Sequence, residues 1–162
     1  MLRQLLIITH LVTLGAGFIV GIYTLPILTA PRAPPPAAFA SAAAEPFYVG
    51  RFVRKLKGSD LIHWGEGEVR VSRNRIAHIG RLAPGPDYKL YLAPKFVDTK
   101  EAFLKIKDQS LLVGDVRTFD GFIANVPAGV DVGDYKSVVI WCEAFGQFIS
   151  AAEYQDTRQA RK

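Results

Sequence analysis

The stretch Ser137-Val138-Val139-Ile140-Trp141-Cys142 decides the fold of this 162-residue chain. Apolar residues occupy both faces of the run when it is placed in an extended conformation. A short, β-branched run of this kind predicts a central strand that is covered on both sides, rather than an edge strand. Cys142 and Ile140 would face one side of the sheet and Trp141 the other, with the two valines divided between them.

Short apolar or alternating runs recur along the chain, separated by glycine, proline, asparagine and aspartate. The runs expected to form strands are Glu68–Ser72, Arg75–Leu82, Tyr88–Leu92, Val116–Val126, Ser137–Glu143 and Phe148–Tyr154. Asp98-Thr99-Lys100-Glu101 resembles a capping box and predicts one short helix over about Thr99–Lys107. Strands at this spacing predict an all-β domain, either an antiparallel sandwich or a small barrel.

The N-terminal segment predicts one transmembrane helix. No Asp, Glu, Lys or Arg occurs from Gln4 to Pro31, and Leu5–Ala30 exceeds the roughly 20 residues that cross a bilayer. Signal peptides have shorter apolar cores of about 7–15 residues. An uncleaved anchor is therefore favoured over a removed signal peptide, although Ala38-Phe39-Ala40 imitates a cleavage site. With one span and a long C-terminal part, we expect a single-pass membrane protein whose domain is extracytoplasmic, in the periplasm.

The chain divides into four parts at changes in composition. Residues 1–30 form the anchor, 31–46 a Pro/Ala-rich linker, 47–156 the β domain and 157–162 a basic tail. The prolines of the linker favour extended polyproline geometry and prevent a continuous helix. We expect the first half of the linker to hold the domain away from the bilayer as a semi-rigid spacer.

Charge and cysteine content exclude several classes of function. The net charge is +5, but acidic residues interrupt the basic clusters, so attraction to anionic lipid is favoured and no nucleic-acid partner is expected. One cysteine excludes an internal disulfide and a multi-thiolate zinc site. No Ser-His-Asp arrangement or carboxylate pair supports a hydrolase.

Four segments, taken together and in order, resemble the DM-thirteen domain, a small extracytoplasmic module associated with electron transfer. They are His63-Trp64-Gly65-Glu66-Gly67-Glu68-Val69, Pro84-Gly85-Pro86-Asp87-Tyr88-Lys89-Leu90-Tyr91-Leu92, Val126-Pro127-Ala128-Gly129-Val130-Asp131 and Tyr135-Lys136-Ser137-Val138-Val139-Ile140-Trp141-Cys142. The similarity runs from about Phe47 to Tyr154. The family is regarded as β-rich and accompanies DOMON and other redox-associated modules, and its bacterial members often follow a single anchor.

The resemblance implies an electron-transfer domain rather than a defined catalyst. The characteristic cysteine of the family falls on Cys142, and the histidine of its first motif falls on His63. The implied electron transfer uses a free thiol or a bound prosthetic group, so haem is possible but not required and the cofactor is unknown.

Each of these residues also has an alternative structural role. A free cysteine often packs as a small hydrophobic residue, whereas a reactive one needs a nearby cation and access to a partner. Lys136, His63 and His78 are the candidate cations. His63 is a candidate ligand or a strand-capping residue, and His78 is expected in the core. Their spacing with Cys142 matches no zinc pattern, so no metal site is predicted.

Two hypotheses follow from the sequence. In the first, a membrane-tethered domain passes electrons or exchanges thiol equivalents with an envelope redox partner through Cys142, assisted by His63. In the second, the domain is a non-catalytic module that binds an envelope protein or glycan, and Cys142 is structural.

Overall fold

The computed structural model describes residues 1–42 and 47–156; the basic tail 157–162 and linker residues 43–46 lie outside it. Its helices and strands are α1 Leu2–Thr29, α2 Pro36–Ala42, β1 Tyr48–Phe52, β2 Gly65–Val71, β3 Arg75–Leu82, β4 Tyr88–Ala93, α3 Lys100–Leu104, β5 Leu111–Val116, β6 Phe122–Asn125, β7 Ser137–Cys142 and β8 Gln147–Asp156. Two short 3-10 turns occur at Lys107–Gln109 and Val132–Asp134.

The strands form one antiparallel sheet in the order β5-β4-β7-β8-β1-β2-β3-β6. The sheet curls until its edge strands β5 and β6 lie against each other, which gives a near-barrel. This confirms the predicted all-β class with one N-terminal apolar helix and a short helix in the domain. Of the two predicted shapes, the near-barrel is the one adopted.

The two faces of β7 separate as predicted. Val138, Ile140 and Cys142 pack inside the barrel with apolar residues from the other strands. Val139 and Trp141 lie on the outer face, where they pack beneath α3. Every residue of β7 is buried, which confirms that it is a central strand covered on both sides.

Helix α3 begins at Lys100, one residue after the predicted start at about Thr99, and it is shorter than predicted. The Thr99 side chain caps it by accepting a hydrogen bond from the backbone N–H of Ala102 at 3.2 Å. Instead of extending to Lys107, the helix ends at Leu104. One turn is enough to bury Phe103 against Trp141, with ring centroids 5.1 Å apart, and the chain then turns so that Ile106 is also buried.

The strand pattern was wrong in three places, one of which is β5, whose residues before Val116 were not predicted as a strand. The predicted strand over Val116–Val126 is the end of β5, a turn and the separate strand β6, and Gly121 in this turn has a φ of 91°. Strand β1 was not predicted. A Cβ atom at Gly50 would collide with the carbonyl oxygen of Glu153, so a glycine that resembles a strand breaker is what allows β1 to approach β8.

The barrel has two ends that differ in their surroundings. The anchor end comprises Phe52, Gly65, the Leu82–Tyr88 turn and the Cys142–Gln147 turn; the distal end comprises Tyr48, Val71–Arg75 and Asn125–Ser137. The last turns of α1 lie against the anchor end, where Ile22, Tyr23, Pro26 and Thr29 line cavities together with residues of the domain.

The linker differs from an extended spacer. Its second half forms α2, whose Ala42 packs on Ala77 of β3 and on Ile123 of β6. Residues 31–42 therefore run along the outside of the barrel, from the end of α1 to the contact of α2 with β3 and β6. Burial of apolar side chains against the sheet stabilises this path, and the domain is not held away from α1.

Candidate functional site

A cavity of about 170 Å³ lies at the anchor end of the barrel. It is lined by residues from α1, the β1–β2 loop, the β3–β4 turn and the β7–β8 hairpin: Ile22, Tyr23, Ile62, His63, Pro84, Gly85, Pro86, Tyr88, Cys142, Phe145, Gln147 and Ile149. Both residues that the sequence singles out, Cys142 and His63, are among them. Residues from three of the four resembling segments therefore meet at one place.

Cys142 is positioned by the pairing of β7 with β4. It is the last residue of β7 and lies directly opposite Tyr88, the first residue of β4. Only 2% of Cys142 is exposed, and it belongs to the apolar interior cluster that includes Ile140. Since it also borders the cavity, its thiol lies between the packed core and the enclosed space.

The surroundings of Cys142 favour the protonated thiol. Burial raises the pKa of Cys142, and the backbone N–H groups of Phe145 and Asp87 offset this only in part. The Asp87 carboxylate raises the pKa further. The thiol is therefore neutral at pH 7, unlike the low-pKa thiolates that act as nucleophiles.

His63 is held in one orientation by Asp60. One oxygen of the Asp60 carboxylate lies 2.7 Å from Nδ1 of His63, and the other accepts the backbone N–H groups of Ile62 and His63, each at 2.8 Å. Partial burial raises the pKa of Asp60, but the hydrogen bonds from His63 and Ile62 lower it more. An ionised carboxylate only accepts hydrogen bonds, so Nδ1 of His63 carries a hydrogen, and in the neutral imidazole it is Nε2 that has the lone pair.

Asp60 is a site residue that the sequence reasoning missed. Its position three residues before His63 was the available signal, because an aspartate can accept hydrogen bonds from residues two and three positions later. Among the described residues, Nε2 of His63 has no hydrogen-bond partner. An oriented imidazole with an available lone pair is suited to accept a proton or to bind a ligand.

The Pro84–Asp87 turn closes the cavity above the aromatic ring of Tyr88. A Cβ atom at Gly85 would overlap this ring, so only glycine permits the turn to lie so close. Burial raises the pKa of Tyr88, and its neutral hydroxyl can donate a hydrogen bond at the cavity. The glycine of the Pro-Gly-Pro sequence is therefore required by its close contact with Tyr88 at this cavity.

The other two candidate cations lie elsewhere. His78 is fully buried between the rings of Phe52 and Phe122, at 5.0 and 5.2 Å between centroids. Its Nε2 donates to the carbonyl oxygen of Glu66 at 2.9 Å, which confirms its predicted core position. Lys136 precedes β7 and lies at the distal end, at the opposite end of the strand from Cys142. Of the three, only His63 lines the Cys142 cavity.

A second polar cluster lies behind Cys142, on the outer face of the sheet. The hydroxyl of Tyr91 donates to the carboxylate of Glu143, which is also 2.7 Å from Nζ of Lys107. Partial burial raises the pKa of Glu143, but the hydrogen bonds from Lys107 and Tyr91 lower it more. Nζ of Lys107 lies 5.5 Å from the Trp141 ring centroid. The cluster caps the Trp141 pocket.

The cavity does not fit a haem group. Pockets that enclose drug-sized ligands measure about 300–1,000 Å³, whereas the Cys142 cavity measures about 170 Å³, and a porphyrin is a large planar ring. Among residues 1–42 and 47–156, no group of three or more His, Cys, Asp or Glu side chains is placed to hold a metal ion. Small organic molecules, or one ring of a larger one, are the ligands that the space admits.

The comparisons with known proteins identify one family. The family model described as "Electron transfer DM13" matches residues 55–154, which include all the segments that carry the resemblance. No curated protein and no solved structure shows significant similarity to the chain. Since the match covers more than half of the sequence, this chain belongs to the Electron transfer DM13 family.

Proposed function

We propose that this chain is a membrane-tethered, extracytoplasmic electron-transfer domain whose redox group is the thiol of Cys142. The observation that carries the proposal is that Cys142 and His63, which are distant in the sequence, line one small cavity. Family membership supports the electron-transfer role. The electron partner is an envelope redox protein or a small mediator.

The proposed reaction moves one electron and one proton. The neutral thiol of Cys142 gives an electron to the external oxidant and its proton, relayed by one water molecule in the cavity, to Nε2 of His63, which leaves a thiyl radical and an imidazolium ion. The reverse step restores the thiol and the neutral imidazole. Asp60 supports this exchange because its carboxylate stabilises the imidazolium ion and keeps Nε2 available.

Burial of the thiol favours electron transfer over thiol–disulfide exchange with another protein. Exchange requires a thiolate that touches the attacked sulfur. Cys142 is only 2% exposed, and burial raises the pKa of its thiol. An electron can leave a buried atom without such contact. The thiol-exchange alternative is therefore limited to molecules small enough to enter the cavity.

The membrane tether is supported by α1. This helix has 28 residues with a mean hydropathy of 2.2 over its most apolar 18-residue window, and it is about 42 Å long, which is sufficient to cross a bilayer. A signal sequence near an N-terminus has similar properties. Retention of the segment is favoured because α1 lines the Cys142 cavity and because Ala38-Phe39-Ala40 lies within α2, which packs on the barrel.

A spin-trapping experiment tests the role of the thiol. The full chain in lipid nanodiscs is treated with a one-electron oxidant, and trapped thiyl radical is measured by electron paramagnetic resonance. We expect a signal in the wild type, none in Cys142→Ala, and at least a tenfold slower appearance in His63→Gln, which lacks the proton acceptor. Lys136→Gln, at the distal end, is the matched control and should behave as the wild type.

Two results would contradict the proposal. One is a wild-type protein whose thiol stays intact and which gives no radical, and the other is a Cys142→Ala variant that still donates electrons at the wild-type rate. Thiol-specific labelling of the native protein at neutral pH provides an independent measure of whether the cavity admits small reagents.

A binding module is the second candidate function. A groove of about 630 Å³ at the distal end is lined by Tyr48, Arg73, Asn74 and the Val126–Val132 loop. Its size is within the range of ligand pockets, and its guanidinium and amide groups suit a polar ligand such as a glycan or an envelope peptide. On this reading, Cys142 is core packing, and Cys142→Ala would leave the biological activity unchanged.

A further inference from the structure

The mouth of the Cys142 cavity carries unusually exposed apolar side chains. Leu61 is 92% exposed, Phe145 56% and Ile62 51%. Leu61 and Ile62 belong to the β1–β2 loop, and Phe145 belongs to the β7–β8 turn, so two separate loops present apolar groups at the same end. Ile62 and Phe145 also line the cavity itself. Apolar side chains clustered in this way at one end of a domain are typical of an interaction surface.

The length of α1 places this surface at the edge of a bilayer. From Leu2 to Val20 every residue is exposed, and burial against the barrel begins at Gly21 and Ile22. The exposed part is about 28 Å long, close to the roughly 30 Å of a hydrocarbon core. Tyr23 follows at once, and tyrosine is enriched at the membrane–water interface.

The charges around the mouth are suited to phospholipid head groups. Four basic residues lie between the middle of β1 and Leu61: Arg51, Arg54, Lys55 and Lys57. Arg54 lies 3.5 Å from Glu66 and Lys57 lies 3.3 Å from Asp98, so Arg51 and Lys55 are the two that have no ion pair among the described residues. The guanidinium of Arg54 lies 3.6 Å from the Trp64 ring centroid, so a cation and an aromatic residue are held together at the anchor end. The acidic residue of the loop, Asp60, is paired with His63. Basic side chains beside inserted apolar ones are characteristic of peripheral membrane contacts.

We infer that the anchor end of the barrel rests on the phospholipid bilayer that holds α1, with Leu61, Ile62 and Phe145 inserted at its surface. The Cys142 cavity then opens at the boundary between head groups and acyl chains. This inference rests on the proposed membrane tether but not on the proposed redox chemistry. A molecule that reaches Cys142 must then arrive along the lipid interface rather than from the aqueous phase.

Depth-dependent fluorescence quenching tests the inference on the full chain. Leu61→Cys and Phe145→Cys are labelled with an environment-sensitive dye, and Ala128→Cys, exposed at the distal end, is the matched control. The wild type sets the background, because its one cysteine is buried. In nanodiscs of mixed zwitterionic and anionic phospholipid with nitroxide-bearing acyl chains, we expect at least threefold stronger quenching at 61 and 145 than at 128.

A second variant separates insertion from mere proximity. Adding Leu61→Asp to labelled Phe145→Cys should reduce quenching at position 145 at least twofold, and the exposed position of Leu61 leaves the fold intact. Equal quenching at all three sites would overturn the inference. Vesicle flotation after a high-salt wash then separates two cases. If the equally quenched protein still floats with the vesicles, α1 is a membrane tether and only the inferred docking of the barrel end is wrong. If the protein does not float, both the proposed tether and the inferred docking are wrong. The redox proposal is tested separately by the Cys142→Ala variant.

Discussion

The two ends of the barrel differ in the size and the lining of their cavities, although one sheet forms both ends. At the anchor end, α1 and two tight turns enclose a small, largely apolar cavity around Cys142. At the distal end, a long loop leaves an open groove with Arg73 and Asn74 in its wall. The same eight strands therefore support a small cavity of about 170 Å³ and a larger groove of about 630 Å³. The difference shows that the segments that close each end, rather than the sheet, decide what chemistry each end can support.

The largest expected effect comes from removing Trp141, the aromatic residue that supports the outer face behind Cys142. Trp141→Ala should lower the free energy of unfolding by about 3–5 kcal/mol, because a fully buried ring is replaced by a cavity. Tyr48→Ala, which removes a half-buried ring at the distal end, should cost about 1–2 kcal/mol. Chemical denaturation measures both, and equal losses would show that the two ends are equally packed.

Two glycine substitutions, one at each end of the barrel, should lower the stability by an intermediate amount. They compare how tightly the two ends are packed. Gly85→Ala should destabilise the protein by about 1–3 kcal/mol, because the new methyl group overlaps the buried Tyr88 ring. Gly129→Ala at the distal end meets no atom within 4 Å, so it should cost only about 1 kcal/mol for its positive φ of 83°. Thermal unfolding measures the stability loss.

Labelling of Cys142 provides the control for this pair of glycine variants. Gly85→Ala should change the rate at which a small thiol reagent modifies Cys142, because Tyr88 lies opposite it. Gly129→Ala should leave the rate unchanged. A change of the same size in both variants would mean that the two ends are coupled.

The smallest effect is a pH dependence that originates away from both cavities. Burial lowers the pKa of His78 below its usual value near 6.5. As pH falls from about 6.5 towards the lowered folded pKa, the unfolded state binds a proton that the folded state does not, and stability falls by up to about 1.4 kcal/mol per pH unit. His78→Gln keeps a donor for the Glu66 carbonyl and should flatten this slope. Denaturation at pH 5.5 and 7.5 measures it; an unchanged slope would assign the dependence to other groups.

Much of the sheet was predictable because burial leaves a local pattern. The apolar faces of β7, the alternation in β2 and a helix start near Thr99 were all predictable from neighbouring residues, since strands repeat every two residues and helix caps act within one turn. Strand β1 was missed because Gly50 reads as a strand breaker when its contact with β8 is unknown. Val116–Val126 was predicted as one strand because its apolar residues continue across the Gly121 turn.

The sequence singled out two residues that line the Cys142 cavity, but not the contacts that form the cavity. The family resemblance identified Cys142 and His63, whereas Asp60 and the enclosing role of Gly85 depend on contacts that only the folded chain creates. Lys136, one of three candidate cations, is near Cys142 in sequence, yet an extended strand places the two at opposite ends of the barrel. Sequence proximity along a strand is a poor guide to proximity in space.

The sequence by itself determined the all-β class, the apolar N-terminal helix, the central position of β7 and the family of this chain, because each depends on local periodicity, composition or motif order. Only the tertiary structure decided that Cys142 is buried and that the pKa of its thiol is raised. It also decided that His63, rather than His78 or Lys136, shares the cavity of Cys142, and that α1 lines that cavity. These properties depend on which distant segments meet, and burial and charge act through space rather than along the chain.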